Sequence, residues 1–408
     1  YGGFEKPIYI DAVNVQLFNQ EKLEIARLDD LQLSFNPLQI LTGNFIPTKM
    51  TLIGATIDTK DFGKNDDSDI DLRDFNLSAV ELLELKNSKI KVSQLNEIWL
   101  IDSVKLQASG EKLKLSGSII PSKNEKITLA GKGNYQKGDY DVSAKISALQ
   151  LNRFKAAFPE FEGVVLVTSG NLITKFSNFK LQSVAADLPF LGGHISNQKF
   201  REVLKIKKAS VAGNYNFVSK SVSIDKSVMH FEDGLQMEVA GYKNAAGDIK
   251  ASGKINSLPI ENLHKYWPAE VGNNGIKWID EHLSKGVINN GIAKINLSGA
   301  DSKAGKIPAS AVDLNFDITG MDINYVPDLL PVLGANGKAH MTANSLSILI
   351  DSGKLGSSAI SNTKVDITEI GGVLEKLKVA GDLTGSIKDI ADFYVKINSK
   401  RGQEMLDR

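Results

Sequence analysis

The sequence predicts a mainly β protein: an antiparallel sheet of many strands, with a few short helices and one helical insert near residues 258–286. Three observations carry this. Apolar and polar residues alternate at period two along much of the chain, turn residues punctuate those runs, and stretches with a helical repeat are few and short. Successive side chains of a strand point to opposite faces, so the alternation means one apolar and one wet face. That is the habit of an antiparallel sheet, not of a parallel sheet covered on both sides.

Taken in order, Ser78 to Leu85 is apolar-rich and reads as a helical turn or two. Leu113, Leu115 and Ile119 then alternate with Lys114, Ser116 and Ser118. Val142, Ala144 and Ile146 alternate with Asp141, Ser143 and Lys145 after the turn Lys137-Gly138-Asp139. Arg153 to Phe161 is a second short helix, interrupted by Pro159. The loop Asn244-Ala245-Ala246-Gly247-Asp248 supplies another turn. The main helical insert runs from about Pro259 to Lys285, with Ser257 as its cap and Pro259 tolerated in the first turn. Ile260, Leu263, Tyr266 and Trp267 follow near-helical spacing until Pro268 and Asn273-Asn274-Gly275 break it. Ile276, Ile279 and Leu283 form a second amphipathic stretch, ended by Gly286. Val312, Leu314, Phe316 and Ile318 alternate with Asp313, Asn315 and Asp317, and Asp351-Ser352-Gly353 reads as a turn.

A degenerate element recurs, apolar–any–apolar–small–Gly, ending at Gly117, Gly131, Gly213, Gly241, Gly253, Gly299 and Gly381. Its spacing is irregular, so it is no fixed-period solenoid. The glycine falls on the apolar phase. It marks either a gap, bend or bulge in the apolar face, or a strand end beside a turn.

Composition excludes several functions. The 408 residues carry 48 Lys and Arg against 48 Asp and Glu. A neutral balance lacks the basic footprint of a nucleic-acid binder. With no cysteine, disulfide scaffolds, thiolate metal sites and thiol nucleophiles are out. At about 150 residues per domain the length suits two or three domains or one elongated one; the strand pattern favours one long sheet with the helical insert. No run reaches the roughly 18 apolar residues of a transmembrane helix. The start at Tyr1 suggests a piece of a longer chain, with a membrane anchor lying upstream.

No catalytic constellation emerges. His194, His230, His264, His282 and His340 are scattered, and Asp280-Glu281-His282 are consecutive, so they do not share a helix face. Gly131-Lys132-Gly133 lacks the third glycine of a dinucleotide loop. The acidic run from Asp58 to Asp74, with Asp61, Asp66, Asp67, Asp69 and Asp71, has neither the central glycine nor the terminal glutamate of a calcium loop at the required position and reads as a polar loop. The expectation is a non-enzyme with no metal and no cofactor. What remains is apolar strand area, which could face a second sheet, close into a barrel, or line a groove. Its aliphatic character would suit acyl chains.

Three stretches resemble a known family. Leu23 to Gly43 followed by Met50 to Ile57, with Gly54-Ala55, resembles the opening module of AsmA-like proteins. His264-Lys265-Tyr266-Trp267-Pro268, then Trp278-Ile279 and Gly286-Val287-Ile288, resembles the insert of the YhdP-type branch. Phe316 to Pro327 with Tyr325, then Leu330-Pro331 and Gly337-Lys338-Ala339, is similar to a later segment of that branch. The resemblance implies a periplasmic protein of the Gram-negative envelope, anchored in the inner membrane. Its curved antiparallel sheet would form a taco-like apolar groove that carries phospholipids towards the outer membrane. Phospholipids, the inner membrane through the upstream anchor, and the outer membrane or envelope proteins are the implied partners.

On that footing the chain divides into an AsmA-like β module (1–75), a groove segment (76–257), the helical insert (258–290) and a continuing groove segment (291–408). The apolar phase supplies the candidate lining: Leu113, Leu115, Ile119, Ile127, Leu129, Val142 and Ile146, then Val211, Val222, Ile224, Met237 and Val239, then Ile295, Leu297, Val312, Leu314, Phe316 and Ile318, and finally Leu346, Ile348, Ile350, Val365, Ile367, Leu377 and Val379. Trp267, Trp278, Tyr266 and Pro268 read as packing for the insert, and Tyr325, Pro327 and Pro331 as a loop between strands. A closed, dry scaffold and a β-rich adhesion module are the competing readings.

Overall fold

The computed structural model describes residues 7–18, 24–59, 80–267, 269, 273–324, 330–370 and 376–398. The chain is mainly β, and it divides into two compact units: Tyr1–Leu191 with Asn214–Val218, and Gly192–Gly213 with Ser219–Arg408.

The first unit holds β1 (Ile8–Phe18), β2 (Glu24–Phe35), the one-turn helix α1 (Pro37–Leu41), β3 (Lys49–Ile53), β4 (Thr56–Asp58) and β5 (Leu82–Val92). After them come β6 (Glu97–Ser109), β7 (Lys112–Ile120), β8 (Lys126–Asn134), β9 (Asp139–Gln150) and β10 (Val164–Ser177). Neighbours in sequence pair antiparallel in the sheet, except that β3 and β4 both lie between β2 and β5, antiparallel to the first and parallel to the second. Asn36 caps α1, its side chain accepting from the Leu38 N–H at 3.0 Å. Two 3₁₀ turns, Leu151–Ala156 and Pro159–Phe161, link β9 to β10, as the Pro159 interruption foretold. β11 (Lys180–Ile195) and β12 (Leu204–Asn216) each have residues in both units.

The second unit continues with β13 (Ser221–Phe231), β14 (Gln236–Lys243), β15 (Ile249–Ile255) and β16 (Ser257–Pro259). Helices α2 (Leu263–Tyr266) and α3 (Asn273–His282) follow, then β17 (Leu283–Leu297), the short helix α4 (Gly299–Lys303), and β18 (Val312–Ile323). It ends with β19 (Val332–Met341), β20 (Ser345–Leu355), β21 (Ser358–Thr368), β22 (Lys376–Thr384) and α5 (Ile387–Asn398). The pairing order is β13-β14-β15-β17-β18-β19-β20-β21-β22, antiparallel throughout, with β16 also on β17. Among the described pairings neither ladder returns to its first strand, so neither is a closed barrel.

Several local expectations are corrected. Leu82 to Leu85 is strand, not helix: Lys49 to Ile53 offers it a parallel ladder, and a short apolar run cannot decide between the two from its pattern alone. Ser78 lies outside the described residues, as do Tyr325, Pro327, Pro268 and the acidic residues Asp61 to Asp74. Ser257 is the first residue of β16 and makes no cap; Pro259 precedes the 3₁₀ turn Ile260–Asn262. The insert ends at His282, and Leu283 and Gly286 belong to β17. Asp351-Ser352-Gly353 runs on within β20, where Ser352 pairs with Ser361; the chain reverses at Gly356-Ser357 instead.

The recurring glycines have a structural reason in part. Gly117 sits mid-ladder, beside the bulge where β6 slips register between Ile101 and Ser103, and a Cβ there would stand 2.5 Å from the Ser103 carbonyl oxygen. Gly381 likewise lies against Thr363, at the bulge between Ser361 and Lys364. The extra residue of a bulge brings the partner backbone close, and only glycine admits it. Gly299, by contrast, follows a strand end, at the start of α4.

Candidate functional site: the aliphatic sheet faces

Residues directly opposite each other on neighbouring strands share a face, so the registers define rows that cross each sheet. In the first unit one row runs Ile10–Leu33–Met50–Leu83–Leu106–Leu115–Gly131–Val142–Thr174 over nine strands. The next runs Ala12–Leu31–Leu52–Leu85–Val104–Gly117–Leu129–Ala144–Leu172 over the same strands. Ile119, Ile127 and Ile146 form a third, behind Ile101. The other face carries Thr51–Glu84–Lys105–Ser116–Ala130–Ser143 at the same level.

The second unit repeats this pattern. Val239–Gly253–Ala293–Leu314–Met341–Leu346–Ile367–Leu377 crosses eight strands, and Phe316–Ala339–Ile348–Val365–Val379 lies beside it. Ile288–Ile318–Gly337–Ile350 forms a third row, and Ile224–Gly241–Ala251–Ile295–Val312 an outer one. Met237 faces Ile255, Leu297 faces Ile249, and Val222 faces Lys243. Val211 lies half-buried on β12. The side chain of Leu377, like that of Trp278, is outside the described residues.

Burial along the strands is uneven. Leu113, Ile146, Ile318 and Ile350 are buried, at 2–5% exposure, whereas Val222, Ile224, Ile295 and Val379 are exposed. The other described candidates are half-buried. Deep burial is concentrated along one margin of each sheet, although a smaller buried cluster, Leu113 with Tyr135, lies at the other margin of the first. In the first unit the main margin is that of Ile101, Ile146, Leu149, Val164 and Leu166, where the 3₁₀ turns link β9 to β10. In the second it is the margin of Phe231, Leu235, Leu258, Ile260, Ile276, Ile288 and Met321, where the helical insert sits. Connections therefore cover the margins of the aliphatic faces unevenly and leave most of the rows half-buried.

Specific polar contacts fix those connections. In the first unit Arg153 reaches Glu97 with one guanidinium nitrogen and Glu125 with the other. Glu125 also accepts from the Gln150 N–H at 3.0 Å, and the Trp99 indole donates to Glu97 at 2.8 Å. Three successive connections on one margin are thereby stitched together. In the second unit the Tyr266 hydroxyl donates to Asp233 at 2.7–2.8 Å, and its ring packs edge-on against Phe231, centroids 4.9 Å apart. Burial, with the Asp233 hydrogen bond and charge behind it, pushes the Tyr266 phenol well above its ordinary pKa. His264 pairs with Glu202 at 2.7 Å. Tyr266 thus packs the insert, as its sequence context suggested.

On the polar face of the first unit Glu84 is nearly inaccessible and is met by Lys105 at 3.2 Å and Lys86 at 3.3 Å. Burial pushes its carboxyl up, but the hydrogen bonds and charges of Lys105 and Lys86 outweigh that and hold it below the usual range.

Sequence reasoning missed the rows' continuation through β1 to β6, although Leu31, Leu33 and Phe35 alternate plainly enough to have signalled it. It also missed Arg153, because the three connections it joins are brought together only by the sheet.

With aliphatic rows crossing many strands, this is a protein built on extended, mainly antiparallel sheet and not on a closed barrel. The chain belongs to the YhdP protein family, whose model matches residues 125–397. No curated protein and no solved structure matches it. Family membership points to the cell envelope. Among the described residues no helix is long and apolar enough to cross a membrane, which says nothing of strands. Among them, too, no group of three His, Asp or Glu side chains is placed to hold a metal ion.

Proposed function

We propose that this chain is a non-enzymatic carrier of phospholipids across the periplasm, with acyl chains shielded on the aliphatic rows and headgroups in water. In this role it serves outer-membrane lipid homeostasis. It works from the inner membrane through an anchor elsewhere in the parent protein, and delivers to the outer membrane or to envelope proteins there. The observation that carries the proposal is the run of half-buried aliphatic rows over eight or nine consecutive strands in each unit. A row of similar residues offers no deep well, and each methylene shielded is worth about 0.8 kcal/mol, so a chain can be held strongly yet remain free to slide.

The test is lipid extraction from the purified protein, followed by binding of labelled phospholipid to Leu115→Asp and Leu314→Asp variants. Both positions are half-buried within rows. Lipid binding is expected to fall severalfold while the circular dichroism spectrum stays that of the parent. Absence of copurified lipid together with no binding of labelled lipid refutes transport. Unfolding of both variants identifies a dry structural core instead.

A further inference from the structure

Residues 36–48 carry α1 and link β2 to β3, and they contain no charged side chain in a chain of which 24% is charged. Instead they present Leu38, Leu41 and Phe45 to solvent, at 58%, 68% and 69% exposure. Leu38 and Leu41 are three apart in α1 and so share a helix face. Charge returns only at the base of the loop, with Lys49 at the start of β3 and with Glu81, whose N–H donates to the Thr48 carbonyl at 2.8 Å. Tyr9, 67% exposed, stands at the same base: it lies opposite Ser34, which in turn faces Lys49.

The loop also leaves little of its backbone to water. Pro37 and Pro47 have no N–H, and eight of the N–H groups between residues 38 and 48 are bonded within the loop or to Ser34. The helix ends with the Gly43 N–H on the Ile40 carbonyl at 2.9 Å and the Asn44 N–H on the Gln39 carbonyl at 2.8 Å. The Asn44 side chain then accepts from the Ile46 N–H at 3.2 Å. The Thr42 and Thr48 hydroxyls donate to the Gln39 and Ser34 carbonyls. Backbone that enters a bilayer must find its partners internally, and most of this backbone already has them. Size points the same way. Even counted at aromatic size, three side chains offer at most about 750 Å², before their partial burial is deducted. Each partner in a stable protein complex buries roughly 800 Å². A lipid surface needs no matching patch, only apolar side chains without charges among them.

We propose that the loop of residues 36–48 inserts Leu38, Leu41 and Phe45 into the interfacial layer of a lipid bilayer, with Tyr9 and Lys49 at the level of the headgroups. Having no charge of its own, the loop is held by apolar area and not by attraction to anionic lipid. Tyrosine and lysine suit the boundary, since each has an apolar body and a polar tip. The inference stands apart from the carrier reading: it sets this margin of the first unit on a membrane whether or not the rows hold acyl chains.

Flotation with vesicles of phosphatidylcholine, a lipid of no net charge, tests it. The wild type is expected to float with them at low and at high salt alike. The Leu41→Asp/Phe45→Asp double variant should bind about tenfold more weakly or worse, since binding scales with the apolar area buried, and should keep its melting temperature. The chain has no cysteine, so a Leu38→Cys variant takes a single environment-sensitive fluorophore. Its emission should brighten and shift to the blue when vesicles are added, while the same label on a Lys114→Cys variant, exposed on β7, should not respond. If the double variant unfolds, the label at position 38 decides. A wild type that does not float, a silent label at position 38, a folded double variant that floats like the parent, or flotation lost at high salt overturns the inference. So does a wild type that self-associates without lipid and a double variant that does not, which assigns the loop to a second copy of this chain. Lipid extraction from the purified protein reads the carrier proposal separately, so either can fail while the other stands.

Discussion

Replacing Arg153 by Met keeps most of its volume and removes its charge. Its side chain is 13% exposed, and its partners Glu125 and Glu97 are 2% and 28% exposed. Removing one member of a buried ion pair costs about 3–5 kcal/mol, mostly because the other charge stays buried and unpaired. Glu125 keeps one donor, the Gln150 N–H, which places it at the lower end of that range. Glu97 keeps the Trp99 indole and reaches solvent, so its loss is nearer the value of about 1 kcal/mol or less for a surface pair. The sum is about 3–4 kcal/mol, enough to loosen the margin that joins β9 to β10. Amide hydrogen exchange reads this locally and does not require the two units to unfold together. Exchange in Ile146 to Gln150 and Val164 to Thr168 should quicken by two orders of magnitude or more, at about tenfold per 1.4 kcal/mol. Adding Glu125→Gln to Arg153→Met should recover much of the loss, because it takes the stranded charge away. Unchanged exchange in the single variant, or a double variant worse than the single, would show that the clasp carries no such energy.

Other expectations can be checked on the same protein. Gly117→Val forces a side chain against the Ser103 carbonyl and the Val104 side chain, and should cost about 1–3 kcal/mol or more as overpacking, read as a lower urea midpoint for the first unit. Glu84 has a folded pKa below its unfolded value. Its contribution is therefore complete above the ordinary carboxylate pKa and is lost as pH falls through the lowered one; Glu84→Gln should flatten the acid limb of a stability profile without changing the neutral-to-alkaline shape. Tyr266→Phe removes the donor to Asp233 but keeps the ring on Phe231, and should cost about 0.5–1.5 kcal/mol or somewhat more, the acceptor being charged. In the wild type the Tyr266 phenol should stay protonated, by absorbance at 295 nm, at pH values where the ordinary tyrosines ionise.

The strands were legible because their cause is local. Leu113-Lys114-Leu115-Ser116 or Val312-Asp313-Leu314-Asn315 states its own two faces, and the sheet obeyed. Segments whose conformation depends on a partner were not. Leu82 to Leu85 becomes strand because β3 lies alongside, and Leu283 because β18 does. Gly286 resembles a helix stop in sequence, yet its backbone, at φ +118, lies inside a strand against Met321. The candidate rows were visible residue by residue. Their joining across strands was not, since register is set by bulges at places such as Asp102 and Asn362 that leave no plain mark in the sequence.

The rows run across the strands and not along them. The distance a guest could travel therefore depends on how many strands there are, at about 4.8 Å for each, and hardly at all on how long any strand is. Gaining or losing one hairpin would change that distance by about 10 Å while leaving every remaining row chemically unaltered. On the carrier proposal, a protein built this way could be fitted to gaps of different width by counting hairpins, with no need to reinvent the surface each time.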